Sequence, residues 1–154
     1  MNINSLNVST TEVNGVSRFT IVVESTKEKI IKVVNHINKL IDVLAAFLYE
    51  EDEIYYQEIA LYKLSSKIFL KGDLVDKIII RKYGAKILKI EKDHIIIQKT
   101  GTKVGTQKLY DELKKFGEIL EFARSGRVAL SKKKRKTVNF IKQLEKTKSN
   151  KLNI

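Results

Sequence analysis

The stretch Ser17–Glu50, SRFTIVVESTKEKIIKVVNHINKLIDVLAAFLYE, decides the fold because it predicts a strand, a helix and a second strand in succession. In Ser17–Val23, apolar and polar residues alternate, as in a strand with one buried face. Thr26–Ile41 has apolar residues at helical spacing, namely Ile30, Val33, Val34, Ile37 and Ile41. The apolar run Asp42–Tyr49 predicts a returning strand. Such a unit buries its helix against a sheet and therefore needs further strands beside it.

The composition bounds the size and the chemistry of the chain. Its 154 residues make one ordinary domain or two very small ones, and 43% hydrophobic residues suffice for a core. Cysteine is absent, which excludes a disulfide frame, a thiolate metal site and a cysteine nucleophile. No apolar run approaches the ~20 residues of a membrane span. Met1–Thr10 lacks the basic start of a signal peptide.

Positive charge is concentrated at the C-terminus. The formal net charge is +12, and Ser131–Ile154 carries +8 of it through nine Lys or Arg residues and one Glu. The remainder of the chain is only mildly basic. A nucleic-acid-binding domain typically shows a basic footprint over its folded body instead.

Turn and cap signals define two α/β units. Met1–Thr10 predicts a strand, and Asn14-Gly15 predicts a hairpin that pairs it antiparallel with Ser17–Val23. The first unit therefore has the order β-β-α-β. The sequence of the second unit predicts the order β-α-β-β-α-β. Its strands are expected at Glu58–Leu64, Ala85–Glu91, His94–Lys99 and Glu118–Arg124, with a further short strand at Arg127–Leu130. A loop is expected at Ser65–Gly72, and helices at Asp73–Tyr83 and from a Thr106 cap to Phe116.

These orders predict an α+β protein made of two ferredoxin-like α/β sandwiches. The second sandwich is complete, whereas the first lacks its opening strand and helix. In the C-terminal tail, Val138, Ile141 and Leu144 predict one short amphipathic helical segment. The remainder of the tail is expected to be frayed.

Motifs for catalysis are absent: there is no GxSxG, P-loop or HExxH, and we predict no catalytic and no metal-binding residues. His36 and His94 fit surface or edge positions better than metal ligands. Gly101–Gly105 could hold an anion through backbone amides, although a simple loop is the favoured interpretation. The acidic run Glu50–Glu53 could bind a hard cation, although a solvated turn between domains is favoured.

The basic run Lys132–Lys136 (KKKRK) leaves a nucleic-acid interpretation open. The β-α-β-β-α-β order also occurs in RNA-recognition modules, which stack bases on aromatic residues of their central strands. The corresponding strands here offer only aliphatic residues, namely Ile87, Leu88, Ile90, Ile95, Ile96 and Ile97. Nucleic-acid binding through Lys132–Lys136 is therefore kept as the alternative hypothesis. From the residues alone, the class is a regulatory or interaction protein.

The chain resembles a known family in an ordered set of segments. NINSLNVS, GVSRFTIVV, INKLIDVL and EIALYKL, followed by YGAKILKI and FGEILEFARSGRVALSK, are similar to the small, regulatory subunits of acetolactate synthase (acetohydroxyacid synthase). The family's ARSG-x-x-ALS signature falls at Ala123–Ser131. TVNFIKQLEK at Thr137–Lys146 resembles the short helix that often ends these subunits.

The resemblance implies three regions: a partial ACT domain at 1–52, a ferredoxin-like domain at 53–131 and a basic tail at 132–154. It implies a homodimer that binds the large catalytic subunit, raises its activity and confers feedback inhibition by valine or a related branched-chain amino acid. Thiamine diphosphate, Mg²⁺ and FAD are expected on the catalytic subunit, and no cofactor is expected in this chain. No membrane partner is expected.

One departure from the family bears on the effector site. Relatives have a strand, a Gly-containing loop and a helix before the NI-x-SL segment, which corresponds to roughly 25 residues. By resemblance, only Asn2 and Ile3 match effector-binding positions, so we expect weak valine inhibition of the chain as given. A misassigned start, a true truncation and gene decay remain open as explanations, and the third is the least favoured. The AT-rich bias of the composition fits a plastid stroma or a bacterial cytoplasm.

Overall fold

The computed structural model describes residues 1–71, 81–115, 119–134 and 137–152 of an α+β protein. Its strands and helices, in chain order, are β1 (Asn2–Thr10), β2 (Ser17–Glu24), α1 (Lys27–Ile37), β3 (Ile54–Ser65), β4 (Lys86–Ile90), β5 (His94–Gly101), α2 (Lys103–Lys115), β6 (Ile119–Arg124), β7 (Val128–Ser131) and α3 (Thr137–Leu152). The chain divides into two units, which are described separately. The first unit comprises Met1–Tyr55 and Ala129–Ile154, and the second comprises Tyr56–Val128.

The first unit contains the predicted hairpin and helix. Strands β1 and β2 pair antiparallel, and the turn between them closes with the Thr11 N–H donating to the Val16 carbonyl at 3.0 Å. Gly15 has φ = +76°, a conformation that glycine adopts without the strain of a Cβ. Helix α1 begins where predicted, although the Thr26 hydroxyl makes no capping hydrogen bond. The helix ends at Ile37, four residues earlier than predicted.

The predicted strand at Asp42–Tyr49 is wrong, because residues 38–50 form turns and irregular backbone. The second unit shows the physical reason. There, β6 pairs with β3, the strand that opens the unit. Within the described residues of the first unit, no strand takes the place that β3 takes in the second. A strand without a neighbour leaves its ladder hydrogen bonds unmade, so Asp42–Tyr49 follows another course.

The second unit forms a sheet with the strand order β4-β5-β3-β6, and β7 also pairs with β3. This is the order of a ferredoxin-like sandwich, and it confirms the predicted fold class. The β3–β5, β3–β6 and β4–β5 pairs are all antiparallel. The predicted helix Asp73–Tyr83 lies mostly outside the described residues, as do Phe116 and the helix stop at Gly117.

One face of this sheet packs on α2 and forms the core of the second unit. The core residues are Ala60, Tyr62, Leu64, Ile68, Ala85, Ile95, Ile97, Leu109 and Leu113. The predicted cap at Thr106 is wrong. Helix α2 begins four residues earlier than that cap implies, at Lys103, because the Thr102 hydroxyl accepts a hydrogen bond from the Gly105 N–H at 3.3 Å. Thr106 is instead completely buried inside the helix.

The C-terminal tail is also more ordered than predicted. Helix α3 extends over sixteen residues, Thr137–Leu152, instead of one short segment with a frayed remainder. Ile141 is 7% exposed, and the Phe140 ring lies 5.4 Å from that of Phe47. Tertiary contacts of this kind stabilise a helix whose own sequence is only weakly helical. Among the helices in the described part of the chain, none has the length and apolarity that a membrane crossing needs.

Two glycines with different backbones give a testable pair of substitutions. Gly105→Ala should raise the free energy of unfolding by about 0.5 kcal/mol, since it adds a better helix former to α2. The new Cβ would meet the Thr102 hydroxyl at 3.6 Å, an ordinary contact. Gly15→Ala should lower stability by about 1 kcal/mol because its φ is positive. Urea denaturation of both variants checks the signs, and the same sign for both would contradict this account.

Candidate functional site

The two residues predicted to bind an effector lie at the start of β1. Asn2 pairs with Glu24 of β2, and Ile3 pairs with Val23. Successive residues of a strand point to opposite faces, so the Asn2 and Ile3 side chains lie on opposite faces of the hairpin. The Ile3 side chain is 64% exposed. A register irregularity follows directly, between Ile3 and Ser5. The role of Asn2 and Ile3 in effector binding stays a prediction.

One face of the hairpin is apolar, uncharged and open. The register pairs Ile3 with Val23, Leu6 with Ile21, and Val8 with Phe19, which places these side chains together. Ile3, Leu6, Val8, Phe19 and Ile21 are each between 45% and 64% exposed. Contiguous exposed apolar side chains are typical of surfaces that bind an apolar ligand or a protein partner. The residue alternation predicted this face, but only the structure shows that it is largely uncovered.

The acidic run Glu50–Glu53 is used within the fold. Glu50 and Glu53 form a reciprocal capping box around a short 3-10 turn, and the backbone N–H of Glu50 donates to a Glu53 carboxylate oxygen at 3.0 Å. That hydrogen bond, together with the nearby Lys133 ammonium, lowers the pKa of Glu53. Lys27 pairs with Glu50 at 2.5 Å. Among the described residues, no cluster of three or more His, Asp or Glu side chains is arranged to hold a metal ion.

The two histidines and the Gly101–Gly105 segment lie at separate places in the fold. His94 lies at the start of β5, with Nδ1 2.7 Å from the neighbouring Asp93 carboxylate. The hydrogen bond from His94 lowers the pKa of Asp93. His36 is exposed in the last turn of α1. Gly101–Gly105 is divided between the end of β5 and the first turn of α2, so the predicted loop is very short.

Part of the basic run Lys132–Lys136 also has partners in the first unit. The Lys132 ammonium lies 5.2 Å from the centre of the Tyr55 ring. The Lys133 ammonium lies 3.5 Å from a Glu53 carboxylate oxygen. Arg135 and Lys136 lie outside the described residues. Contacts of Lys132 and Lys133 with their own chain favour a structural use of this run over nucleic-acid binding.

Sequence reasoning missed a buried charge cluster in the second unit. Glu58 on β3 is 5% exposed, and its two carboxylate oxygens lie 3.5 Å from Nε of Arg124 and 3.4 Å from Nε of Arg127. The Arg127 guanidinium also lies 4.0 Å from the centre of the Tyr56 ring. Ser125, between the arginines, donates its N–H to the Ile59 carbonyl at 2.8 Å, and its hydroxyl accepts from the Ile59 N–H.

This cluster gives the ARSG segment a physical role. Arg124, Ser125 and Arg127 tie the connection between β6 and β7 to the backbone and to Glu58 of β3. A glutamate at an inward position of an otherwise apolar strand is the signal that could have predicted such a cluster, because a buried carboxylate requires a cationic partner.

Comparison with known proteins identifies the family. Residues 57–133 match the family model described as the small subunit of acetolactate synthase, and residues 1–45 match the AHAS small subunit-like ACT domain. The acetolactate synthase small subunit of Mycolicibacterium smegmatis is 32% identical over 131 residues, covering 85% of this chain and 75% of that protein. The Bacillus subtilis acetolactate synthase small subunit is 33% identical over 132 residues, with the same coverages.

Two further relatives are more distant in length or sequence. Acetolactate synthase small subunit 2, chloroplastic, of Arabidopsis thaliana is 33% identical over 129 residues, which cover 84% of this chain and 26% of that protein. The crystal structure of the acetolactate synthase small subunit from Thermotoga maritima superposes with a TM-score of 0.71 at 23% identity. The superposition covers 87% of this chain and 82% of that one, and it supports the fold.

The α+β fold and the two family matches define a class: a small, regulatory subunit with an ACT domain ahead of a second α/β domain. The chain belongs to the family of acetolactate synthase small subunits. A small subunit of this family has a large, catalytic subunit as its partner.

Proposed function

We propose that the chain raises the activity of the acetolactate synthase catalytic subunit and mediates feedback inhibition by valine or a related branched-chain amino acid. The observation that carries this proposal is the pair of family matches, which cover residues 1–45 and 57–133 in order. The chain acts as a non-catalytic subunit. The complex joins two pyruvates to acetolactate with loss of CO₂, or joins pyruvate to 2-oxobutyrate, in branched-chain amino acid synthesis. Thiamine diphosphate, Mg²⁺ and FAD belong to the catalytic subunit.

We further propose that the effector binds at the start of β1 in a homodimer. Asn2 provides amide hydrogen-bonding groups, and Ile3 begins the open apolar face of the hairpin. An apolar surface beside an uncharged polar group suits an amino acid with a branched aliphatic side chain. By resemblance, the site of action is a plastid stroma or a bacterial cytoplasm.

Reconstitution with a catalytic subunit tests the proposed function. The chain should co-purify with a cognate large subunit and raise its rate of acetolactate formation, because the family's small subunits work in that complex. Acetolactate formation from pyruvate is measured with and without the chain and over a valine titration, in which weak inhibition is expected. Failure to co-purify, together with an unchanged rate, would sink the proposal.

The nucleic-acid alternative is tested separately. Binding through Lys132–Lys136 would weaken steeply with salt, since each phosphate contact releases counterions. Charge-neutral substitutions at Lys132 and Lys133 should leave activation of the catalytic subunit intact. Salt-sensitive binding of DNA or RNA that these substitutions abolish would favour the alternative instead.

A further inference from the structure

The described C-terminal residues, 132–134 and 137–152, are called the strap below, and several of them contact residues 47–53 of the same unit. Its base is fixed by the Lys132 N–H, which donates to the Glu53 carbonyl at 2.9 Å. The Lys133 ammonium approaches both the Glu53 carboxylate, at 3.5 Å, and the Tyr49 ring, at 6.0 Å from its centre. The base of the strap therefore holds the end of the irregular segment that follows α1.

The helix of the strap adds apolar contacts. The Phe140 ring packs on Phe47 with ring centres 5.4 Å apart, and Phe47 in turn lies 6.2 Å from the Tyr49 ring. Among the described residues of the first unit, Ile141 is the only buried hydrophobic residue. In contrast, α1 contributes no buried residue. The most buried apolar position of the first unit thus comes from the last helix of the chain.

The segment that the strap contacts does not pair in a sheet. Asp42–Tyr49 is irregular although its sequence predicts a strand. The Asn38 side chain makes two hydrogen bonds to the backbone of Ala46 in this segment. It accepts one from the Ala46 N–H at 2.7 Å and donates the other to the Ala46 carbonyl at 3.1 Å. Asn38 satisfies the groups that a neighbouring strand would otherwise pair with. Further along the segment, Phe47 contacts Phe140 and Tyr49 contacts Lys133, both in the strap.

We propose that the strap holds residues 42–53 in place, so that their ordered course depends on the last helix of the chain. The inference goes beyond the proposed function, because it concerns a conformational device in the regulatory unit rather than its effect on a catalytic subunit. The strap contacts Phe47 and Glu53, which precede it by roughly eighty to ninety residues in sequence. Opening of α3 would release Phe47 and loosen the backbone between α1 and β3.

Amide hydrogen exchange of the full chain, alone in solution, tests the strap. Phe140→Ala and Ile141→Ala should each increase exchange at least tenfold at the hydrogen-bonded amides among residues 42–53, which are those of Val43, Ala46, Glu50 and Glu53. The buried strand β5 and helix α2 of the second unit should keep their protection, which also shows that the variants fold. Lys142→Ala is the matched control, because Lys142 is the next residue of the same helix and is exposed. Its exchange should equal that of the unmodified chain.

A conservative variant separates packing from a general effect of substitution. Phe140→Leu keeps an apolar contact with Phe47 and should restore most of the protection that Phe140→Ala loses. Unchanged protection of residues 42–53 in both alanine variants would overturn the proposal. Because no catalytic subunit enters this experiment, its failure is distinguishable from failure of the proposed function.

Discussion

Glu58→Ala should lower the free energy of unfolding of the second unit by about 3–5 kcal/mol. Glu58 is 5% exposed and is the carboxylate between Arg124 and Arg127. The side chains of these arginines are only 22% and 16% exposed. The Glu58 carboxylate compensates the two guanidinium charges for their partial removal from water. Without Glu58, two like charges would remain partly buried beside each other. Urea denaturation followed by circular dichroism measures the change.

Two further variants test this interpretation of Glu58. Glu121→Ala, on β6 of the same sheet, removes an exposed carboxylate and should change stability by less than about 0.5 kcal/mol. Glu58→Gln keeps the shape of the side chain and removes only its charge, so it should recover the packing but not the ion pairs. If Glu58→Ala lowers the free energy of unfolding no more than Glu121→Ala does, the charge cluster makes no net contribution to stability.

The second large effect is expected at Tyr62, the largest fully buried side chain in the described core. Tyr62→Ala should cost about 3–5 kcal/mol, since it leaves a cavity beneath α2 and removes ring contacts with Phe122, 5.1 Å away. Tyr62→Phe should cost about 1–2 kcal/mol, because the hydroxyl donates to the Thr106 carbonyl at 2.7 Å. Thermal and urea denaturation of both variants give the two values.

The half-buried Tyr110 provides the matched control. Its ring also packs on Phe122, with centres 4.7 Å apart. Tyr110→Phe should change stability by less than about 0.5 kcal/mol. Equal losses for Tyr62→Phe and Tyr110→Phe would contradict the assigned role of the buried hydroxyl.

Tyr62 also predicts a pH dependence. Burial raises its pKa well above the ordinary value, and the Arg124 charge opposes this rise only in part. In the unfolded chain the hydroxyl ionises at about pH 10, whereas in the folded chain it stays protonated there. This contribution to stability is therefore complete below about pH 10 and declines as the pH rises further. The Tyr62→Phe variant should lose this alkaline decline, which melting temperatures between pH 8 and 11 would show.

Locally encoded elements were predictable because their signals lie within a few residues. The alternation in Ser17–Val23 and the Asn14-Gly15 turn together determine the β1–β2 hairpin and its register. The helical spacing after Thr26 determines α1. The placement of Asn2 and Ile3 on the first strand follows from the same local pattern. The order of elements in the second unit likewise led to the ferredoxin-like sheet.

The candidate site and the C-terminal region were less predictable because their partners are distant in sequence. Lys133 meets Glu53, and Phe140 meets Phe47, across roughly eighty to ninety residues. Nothing in the KKKRK run itself distinguishes lysines that contact their own chain from lysines that contact phosphate. The same limit applied to Glu58, whose partner arginines lie more than sixty residues away.

The sequence by itself determined the hairpin, α1, the order of the second sandwich and, through its ordered segments, the family. Only the tertiary structure decided that Asp42–Tyr49 is not a strand, that α3 belongs to the first unit and that Glu58 binds two arginines. The physical reason is the range of the interactions. Turns and helices are stabilised by neighbours in sequence, whereas strands, buried charges and packed helices depend on the partner that the rest of the fold supplies.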